Sequence, residues 1–406
     1  MPINEIWRLA AVVAAVALAI LLRFSSKLRG YQFTAWIIAA VTAAMIFPGA
    51  FLHWGRFNLN NKWLILLVVQ TVMFGMGTQM SLRDFAGVAR SPRGVLVGTI
   101  GRFVIMPLVG WVLIKLVHLP DEIAAGVILI GSCSSGLASN VMAYLARANL
   151  ALSVTVTAFT TLLAPVMTPF WMKLLAGTLV EVDAFKMMVD IIKLVLAPIG
   201  AALLHDYLKH ATLRGRKAVL LVATTGAVWL AFLALGGWRL LTANLTDTPL
   251  RWVGLAGFLL GAVVFGVVYH RLTQKFSRLD QRMPLASMAG IVYFTAVTTA
   301  AGRDNLLQVG LLLVIVAILH NTAGYFFGYW LSRASGLDKN SARSIAFEVG
   351  LQNGGMASGL AGTLGKLGTL GLAAAIFSPW MNISGSVLAN YWRKRPALPI
   401  TASTGP

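Results

Sequence analysis

Thirteen apolar stretches, each long enough or nearly so to cross a bilayer, follow one another between Ile6 and Tyr391 with short polar connections. A spanning helix needs about 20 mostly apolar residues, so such a chain has no length left for a sizeable soluble domain. Composition agrees, since only 11% of the 406 residues are charged and 58% are hydrophobic, against roughly 25% charged in soluble domains. The fold class is therefore an all-α polytopic membrane protein with about 13 transmembrane helices, embedded in the lipid bilayer.

The formal charge of +20 would point to a nucleic-acid partner only if Lys and Arg gathered on one face or arm. Here they sit singly or in small groups between apolar runs, so no nucleic acid is expected. With the amino terminus outside, 21 of the 33 basic residues fall in cytoplasmic loops and seven in the opposite loops. That asymmetry supports the odd span count, an external amino terminus and a cytoplasmic carboxyl terminus. The first apolar run, Ile6 to Leu22, has its basic residues Arg23, Lys27 and Arg29 behind it and no small-residue cleavage pattern, so it reads as an uncleaved span. The single cysteine, Cys133, lies in an apolar segment and reads as an inert packed thiol.

Of thirteen acidic residues, Glu348 alone falls well inside a span. An ionisable group there costs several kcal/mol on most scales and marks an ion or substrate path. Around it, Glu348-Val349-Gly350-Leu351-Gln352-Asn353-Gly354-Gly355 combines three polar side chains with three glycines, which predicts a broken helix. A second interruption, from Gly131 through Ser132, Ser134, Ser135, Gly136 and Ser139 to Asn140, cuts the fifth span. If residues 1–30 are an extra amino-terminal helix and 210–282 a two-helix insert, two five-span repeats remain, and each is broken in its fourth span. The first repeat and the start of the second occupy 31–209, the rest of the second 283–395, and 396–406 reads as a disordered cytoplasmic tail. An odd number of spans per repeat inverts the second one, and paired Gly-interrupted segments in inverted halves point to a secondary transporter's midplane site.

The residue types suit a hard monovalent cation, which prefers oxygen donors. Ser139 and Asn140 supply hydroxyl, amide and freed carbonyl oxygens. Ser153 and Thr157, four residues apart, share one helix face, and Glu348 and Gln352 offer oxygens from the other half. Small hydroxyl residues at such positions also serve ordinary helix packing.

Several ordered motifs spread over both halves now carry a resemblance: Phe74-Gly75-Met76-Gly77, Ala138-Ser139-Asn140-Val141-Met142, Ala151-Leu152-Ser153-Val154, Glu348 to Asn353, and Asn382-Ile383-Ser384-Gly385-Ser386. Together they resemble the bile acid:sodium symporter (BASS) family, with the first span and the insert outside the matched region. The resemblance implies a ten-helix core of two inverted repeats with broken, crossing helices, and sodium-driven uptake of organic anions by alternating access. Carried over, the first sodium site is Ser139, Asn140, Ser153, Thr157 and Glu348. The second uses Glu348, Gln352 and the backbone carbonyls of Val349 and Leu351, while Asn353 and Asn382 match positions near the substrate.

Three positions depart from the family pattern. Where bacterial relatives carry a glutamine ligand of the second sodium, this chain has Arg102, whose guanidinium cannot coordinate a cation. The expectation is a fixed positive charge in place of one sodium, paired with Glu348; binding the substrate's anionic group and a structural ion pair are the other uses. Leu137 and Met381 stand where relatives have threonine and histidine, which removes hydrogen-bonding groups from the expected pocket. A small carboxylate or sulfonate is thus as good a candidate as a bile acid.

The function expected is sodium-coupled symport of an organic anion, with a proton-coupled or cation-independent carrier of the same fold as the alternative. No cofactor beyond Na+ as coupling ion is implied. The location expected is the bacterial inner membrane. The oligomeric state stays open, a monomer among the possibilities. His320 and Asn321 either line the cavity or bond a neighbouring helix, and Lys193 is either a gate or a snorkelling side chain. No Gly-Xaa-Ser-Xaa-Gly elbow or His-Glu-Xaa-Xaa-His helix is present, so an enzyme is not expected. A channel would more naturally carry a charged ring.

Overall fold

The computed structural model describes residues 3–24 and 32–395. Lys27, Arg29, the boundary at residues 30 and 31, and the carboxyl-terminal tail lie outside the described residues. Sixteen principal helices run in chain order. The first eight are α1 (Ile3–Leu21), α2 (Gln32–Ile46), α3 (Lys62–Gly77), α4 (Leu82–Arg90), α5 (Pro92–Leu116), α6 (Asp121–Ser132), α7 (Ala138–Leu145) and α8 (Leu150–Ala176). The second eight are α9 (Ala184–His210), α10 (Leu213–Asn244), α11 (Asp247–Lys275), α12 (Leu279–Ala301), α13 (Arg303–Ala334), α14 (Lys339–Gly350), α15 (Gly354–Thr363) and α16 (Leu372–Arg393).

All thirteen expected spans correspond to helical segments. Among the described residues, nine are helices long and apolar enough to cross a membrane. The others are the shorter α2, the helix α3 that bends by 56° into α4, and two broken spans, α6 with α7 and α14 with α15. The expected span from Phe33 to Trp54 is shorter than the sequence implied. Helix α2 stops at Ile46, Phe47 leaves helical geometry, and a five-residue helix from Pro48 leads to a hairpin pairing His53–Trp54 with Phe57–Asn58. Phe47 precedes a proline, and the proline ring disfavours helical backbone in the residue before it.

The helices sort into two bundles. Helices α2, α3, α9 and α12 pack on one another, and α5 to α8 pack with α13 to α16. Helix α1 lies on α2 and otherwise shows apolar side chains outward, as lipid contact requires. The insert helices α10 and α11 pack together, and α11 joins the first bundle along α9. Gly266 of α11 permits that approach, since a Cβ there would stand 2.7 Å from the Ala201 carbonyl oxygen.

Caps begin the helices that frame the breaks. Asn149 accepts from Leu152 N at 3.1 Å to start α8, Asp338 accepts from Asn340 N and Ser341 N to start α14, and Asn353 accepts from Met356 N at 3.0 Å to start α15. Each satisfies a backbone N–H that a helix start leaves orphaned. At the other end of the broken pair, Lys366 and Glu122 form an ion pair at 2.7 Å that ties the loop after α15 to the start of α6.

Candidate functional site

In an apolar surrounding every freed backbone group must find a protein partner, and the two breaks supply one another. Ser135 and Gln352 form an antiparallel bridge, Gly136 N donates to Leu351 O at 3.0 Å, and Asn353 N donates to Ser134 O at 2.9 Å. The unwound segments therefore cross in contact. Gly136 permits that close approach, because a Cβ there would lie 2.7 Å from the Gln352 carbonyl oxygen. Gly136→Ala is expected to force the unwound segments apart at a cost of ~1–3 kcal/mol, read as a lower melting temperature in detergent.

Beside the crossing lies a cluster of oxygens. Glu348 is 0% exposed. Ser153 Oγ lies 2.5 Å from Glu348 Oε1, and Thr157 Oγ1 lies 3.0 and 2.9 Å from Oε1 and Oε2. The same hydroxyls stand 2.9 and 3.1 Å from Asn140 Oδ1, and Ser139 Oγ is 3.3 Å from Thr157 Oγ1. Ser139 donates its proton to Gly136 O at 2.7 Å. When Glu348 is ionised, two hydroxyl protons, from Ser153 and Thr157, remain for three acceptor oxygens on Asn140 and Glu348. The cluster is short of positive charge and rich in lone pairs, the condition a desolvated hard cation relieves.

Arg102, 0% exposed, approaches the crossing on another side. It sits on a π-helical turn, Gly101–Ile105, inside α5. One terminal nitrogen donates closely to Cys133 O and, at 3.3 Å, to Ser134 O, while the other donates to Val349 O at 3.3 Å. These carbonyls belong to the carboxyl-terminal ends of α6 and α14, where each helix dipole presents roughly half a negative charge. One guanidinium thus faces two such ends.

The expected direct pair between Arg102 and Glu348 does not form, as no ion pair among the described residues joins them. The carbonyl ends are nearer and supply several acceptors in the fork geometry a guanidinium prefers. Val349 O, expected as a cation ligand, is instead held by Arg102 and by Gln352 Nε2 at 3.2 Å. Gln352 Oε1 is buried without a partner.

A cavity of about 350 Å³ lies between the two bundles and reaches the crossing. Thr34, Met76, Gln79, Ser287 and Met288 line it from one bundle, and Leu137, Gln352, Asn353, Met381 and Asn382 from the other. Asn353 and Asn382, expected near the substrate, both line this cavity. Asn353 Nδ2 is buried and unpartnered, whereas Asn382 Nδ2 donates to Ser378 O at 2.9 Å. His320 and Asn321 face neighbouring backbone instead: His320 Nε2 is 3.0 Å from Met106 O, and Asn321 Nδ2 donates to Gly350 O at 2.7 Å. Lys193 reaches toward Phe258 of α11, away from the crossing. Of the two uses the sequence left open for the His320–Asn321 pair, bonding a neighbouring helix is the one observed, with Asn321 holding the last carbonyl of the broken α14.

Two broken spans that cross around buried oxygens make this a multi-span membrane protein of the transporter type. The comparisons agree with that class. A family model described as the sodium bile acid symporter family matches residues 65–241. The uncharacterized sodium-dependent transporter YocS of Bacillus subtilis (strain 168) is 33% identical over 378 residues, covering 92% of this chain and 95% of that protein. A probable chloroplastic sodium/metabolite cotransporter, BASS1 of Oryza sativa subsp. japonica, is 29% identical over 364 residues, covering 90% and 73%. The human ileal sodium/bile acid cotransporter is 25% identical over 304 residues, covering 73% and 70%. In fold, the chain is similar to the sodium proton antiporter MjNhaP1 of Methanocaldococcus jannaschii, with a TM-score of 0.51 at 14% identity, covering 97% of this chain and 99% of that one. This chain belongs to the sodium bile acid symporter family. Its relatives are transporters and not enzymes.

Proposed function

We propose that this protein is a symporter that couples the entry of one sodium ion to that of a small organic anion by alternating access. The observation that carries the reading is the oxygen cluster at Glu348, which, with the carboxyl ionised, holds one more acceptor than it has hydroxyl protons to offer. Ser139 and Asn140 come from the first break, Ser153 and Thr157 from the helix after it, and Glu348 from the second break. A sodium ion bound there neutralises one carboxylate and draws both halves of the crossing together, which links cation occupancy to the shape of the cavity beside it. Arg102 takes the place of a second cation, with its charge fixed and carried by the chain.

The substrate reading rests on the cavity. At about 350 Å³ it lies at the small end of ligand sites, roughly 300–1,000 Å³, which favours a compact carboxylate or sulfonate over a steroid. Among the described residues no Lys, Arg or His lines it, so neutral donors such as Asn353 Nδ2 are the ones available there to hold the anion. The cavity lies on the side of the basic loops, which the positive-inside rule makes cytoplasmic. The chain then faces inward, with an external amino terminus, in the cell membrane.

Uptake of a panel of labelled carboxylates, sulfonates and a conjugated bile acid into proteoliposomes tests this. Replacing the inward sodium gradient by choline is expected to reduce uptake at least tenfold, a loss of about 1.4 kcal/mol or more of coupling. The occupation of the carbonyl ends by Arg102 favours a second reading, a carrier driven by protons or by the substrate gradient alone. Equal uptake in sodium and choline would establish it.

A further inference from the structure

The two helices that carry the oxygen cluster are tied together a second time, one turn nearer their starts. Ser153 and Thr157 belong to α8 and Glu348 to α14, and the two helices run side by side in the same direction. Ser344, buried and four residues before Glu348, donates to Asn149 O at 2.8 Å. Asn149 O also accepts from Ser153 N at 3.1 Å, so Ser344 bonds the carbonyl that begins the turn carrying Ser153. Asn149 Nδ2 donates to Ser341 Oγ at 3.1 Å, Ser341 Oγ donates to Asp338 Oδ2 at 2.5 Å, and Asn149 N donates to Asn340 O at 3.3 Å.

Capping does not account for these contacts. The cap of α8 uses only Asn149 Oδ1 and that of α14 only Asp338 Oδ1, while the amide N–H of Asn149 and the hydroxyl of Ser344 reach from one helix to the other. The rungs repeat at the helical period: Asn149 with Ser344, then, four residues on along both helices, Ser153 with Glu348. Four residues are about 6 Å of helix, so a slip at the first rung is carried to the second. Hydrogen bonds are lost beyond about 3.5 Å, and an axial slip of about 1 Å therefore opens the cluster. On the far side of the cluster α8 meets the first break, where Ser135 N donates to Thr160 Oγ1 at 3.4 Å and Thr161 Oγ1 lies 3.4 Å from Ser134 Oγ. Those longer contacts leave the tie at Asn149 and Ser344 as the firmer of the two.

Which cation an oxygen site prefers depends on its size, its ligand number and its flexibility. We propose that Asn149 and Ser344 are positioning residues that hold α8 and α14 in axial register and so make the Glu348 cluster prefer sodium to the larger potassium ion. Among the described residues neither side chain bonds an oxygen of that cluster. Their role presupposes the sodium site proposed above and places the origin of its selectivity one turn away from the ion.

Melting-temperature titrations of the full chain with sodium and with potassium, at an ionic strength held constant by choline, test this without any substrate. Asn149→Ser keeps a cap for α8 but is too short to reach Ser341, and Ser344→Ala removes the hydroxyl while Asn149 O keeps its bond from Ser153 N. In choline alone both variants are expected to melt within about 3 °C of the wild type. Each is expected to bind sodium about fivefold more weakly, the scale of one lost hydrogen bond, and to narrow the preference for sodium over potassium at least threefold. A tie that served stability alone would lower the choline melting temperature and leave the ratio of the two affinities unchanged. That outcome, or wild-type titrations in both variants, overturns the role of Asn149 and Ser344 and leaves the sodium site standing. A wild type that sodium does not stabilise overturns both.

Discussion

Replacing Arg102 by glutamine is expected to add a second sodium to each transport cycle, raising the Hill coefficient for sodium from about 1 to about 2. The guanidinium now bonds carbonyls at the ends of α6 and α14, and those ends attract a cation whatever its origin. Without it, Val349 O and Ser134 O lose a donor, and the unpartnered Gln352 Oε1 gains a glutamine neighbour. Breaking a buried charged network costs about 3–5 kcal/mol, so the variant is expected to be markedly less heat-stable in choline. Sodium then restores part of the loss, since a ligand at 100 times its dissociation constant stabilises by about 2.7 kcal/mol. A larger sodium-induced shift in melting temperature than in the wild type is the signature. If the variant is destabilised but its sodium dependence keeps a coefficient of about 1, Arg102 is a structural brace only.

Glu348→Gln is expected to abolish sodium-driven uptake while leaving the protein folded. The amide matches the carboxylate in shape but carries no charge and brings two donors into a cluster that needs a cation. Charge-assisted contacts in buried sites are worth roughly 1.5–3 kcal/mol each, and sodium loses several of its interactions, so its affinity should fall at least a hundredfold. The same change removes a buried charge from an apolar setting, which favours the empty protein. The variant should therefore melt at or above the wild-type temperature in choline and show no shift on adding sodium. A sodium-dependent shift that survives in Glu348→Gln places the coupling ion elsewhere.

Much of the site was legible because membranes impose a simple rule: a polar or glycine-rich interruption in an apolar span needs a reason. Glu348 was conspicuous as the one acid well inside a span, and the break at Ser132 to Asn140 was visible against its apolar flanks. Ser153 and Thr157 were ambiguous, because hydroxyls on a helix face also pack. In the structure both hydroxyls hydrogen-bond Glu348. The α4 segment escaped notice because Arg83, Asp84 and Arg90 make it read as a loop, whereas Ser81 and Asp84 form a capping box that begins a helix.

Arg102 shows where reading along the chain stops. Its depth in the span was clear, and pairing with the only nearby acid was the natural expectation. The guanidinium instead found backbone carbonyls, which no residue letter records. The Asn149–Ser344 contact was equally hidden, joining positions 195 residues apart on helices read as belonging to different repeats.

By itself the sequence determined that this is a thirteen-segment membrane protein and where its helices break, because hydropathy, charge and glycine content act locally along the chain. Only the tertiary structure decided that the breaks bond to one another, that five side chains converge on one site, and that Arg102 answers helix ends and not Glu348. Those outcomes depend on distances of a few ångströms between segments far apart in sequence, and electrostatic and hydrogen-bond energies are decided at that range.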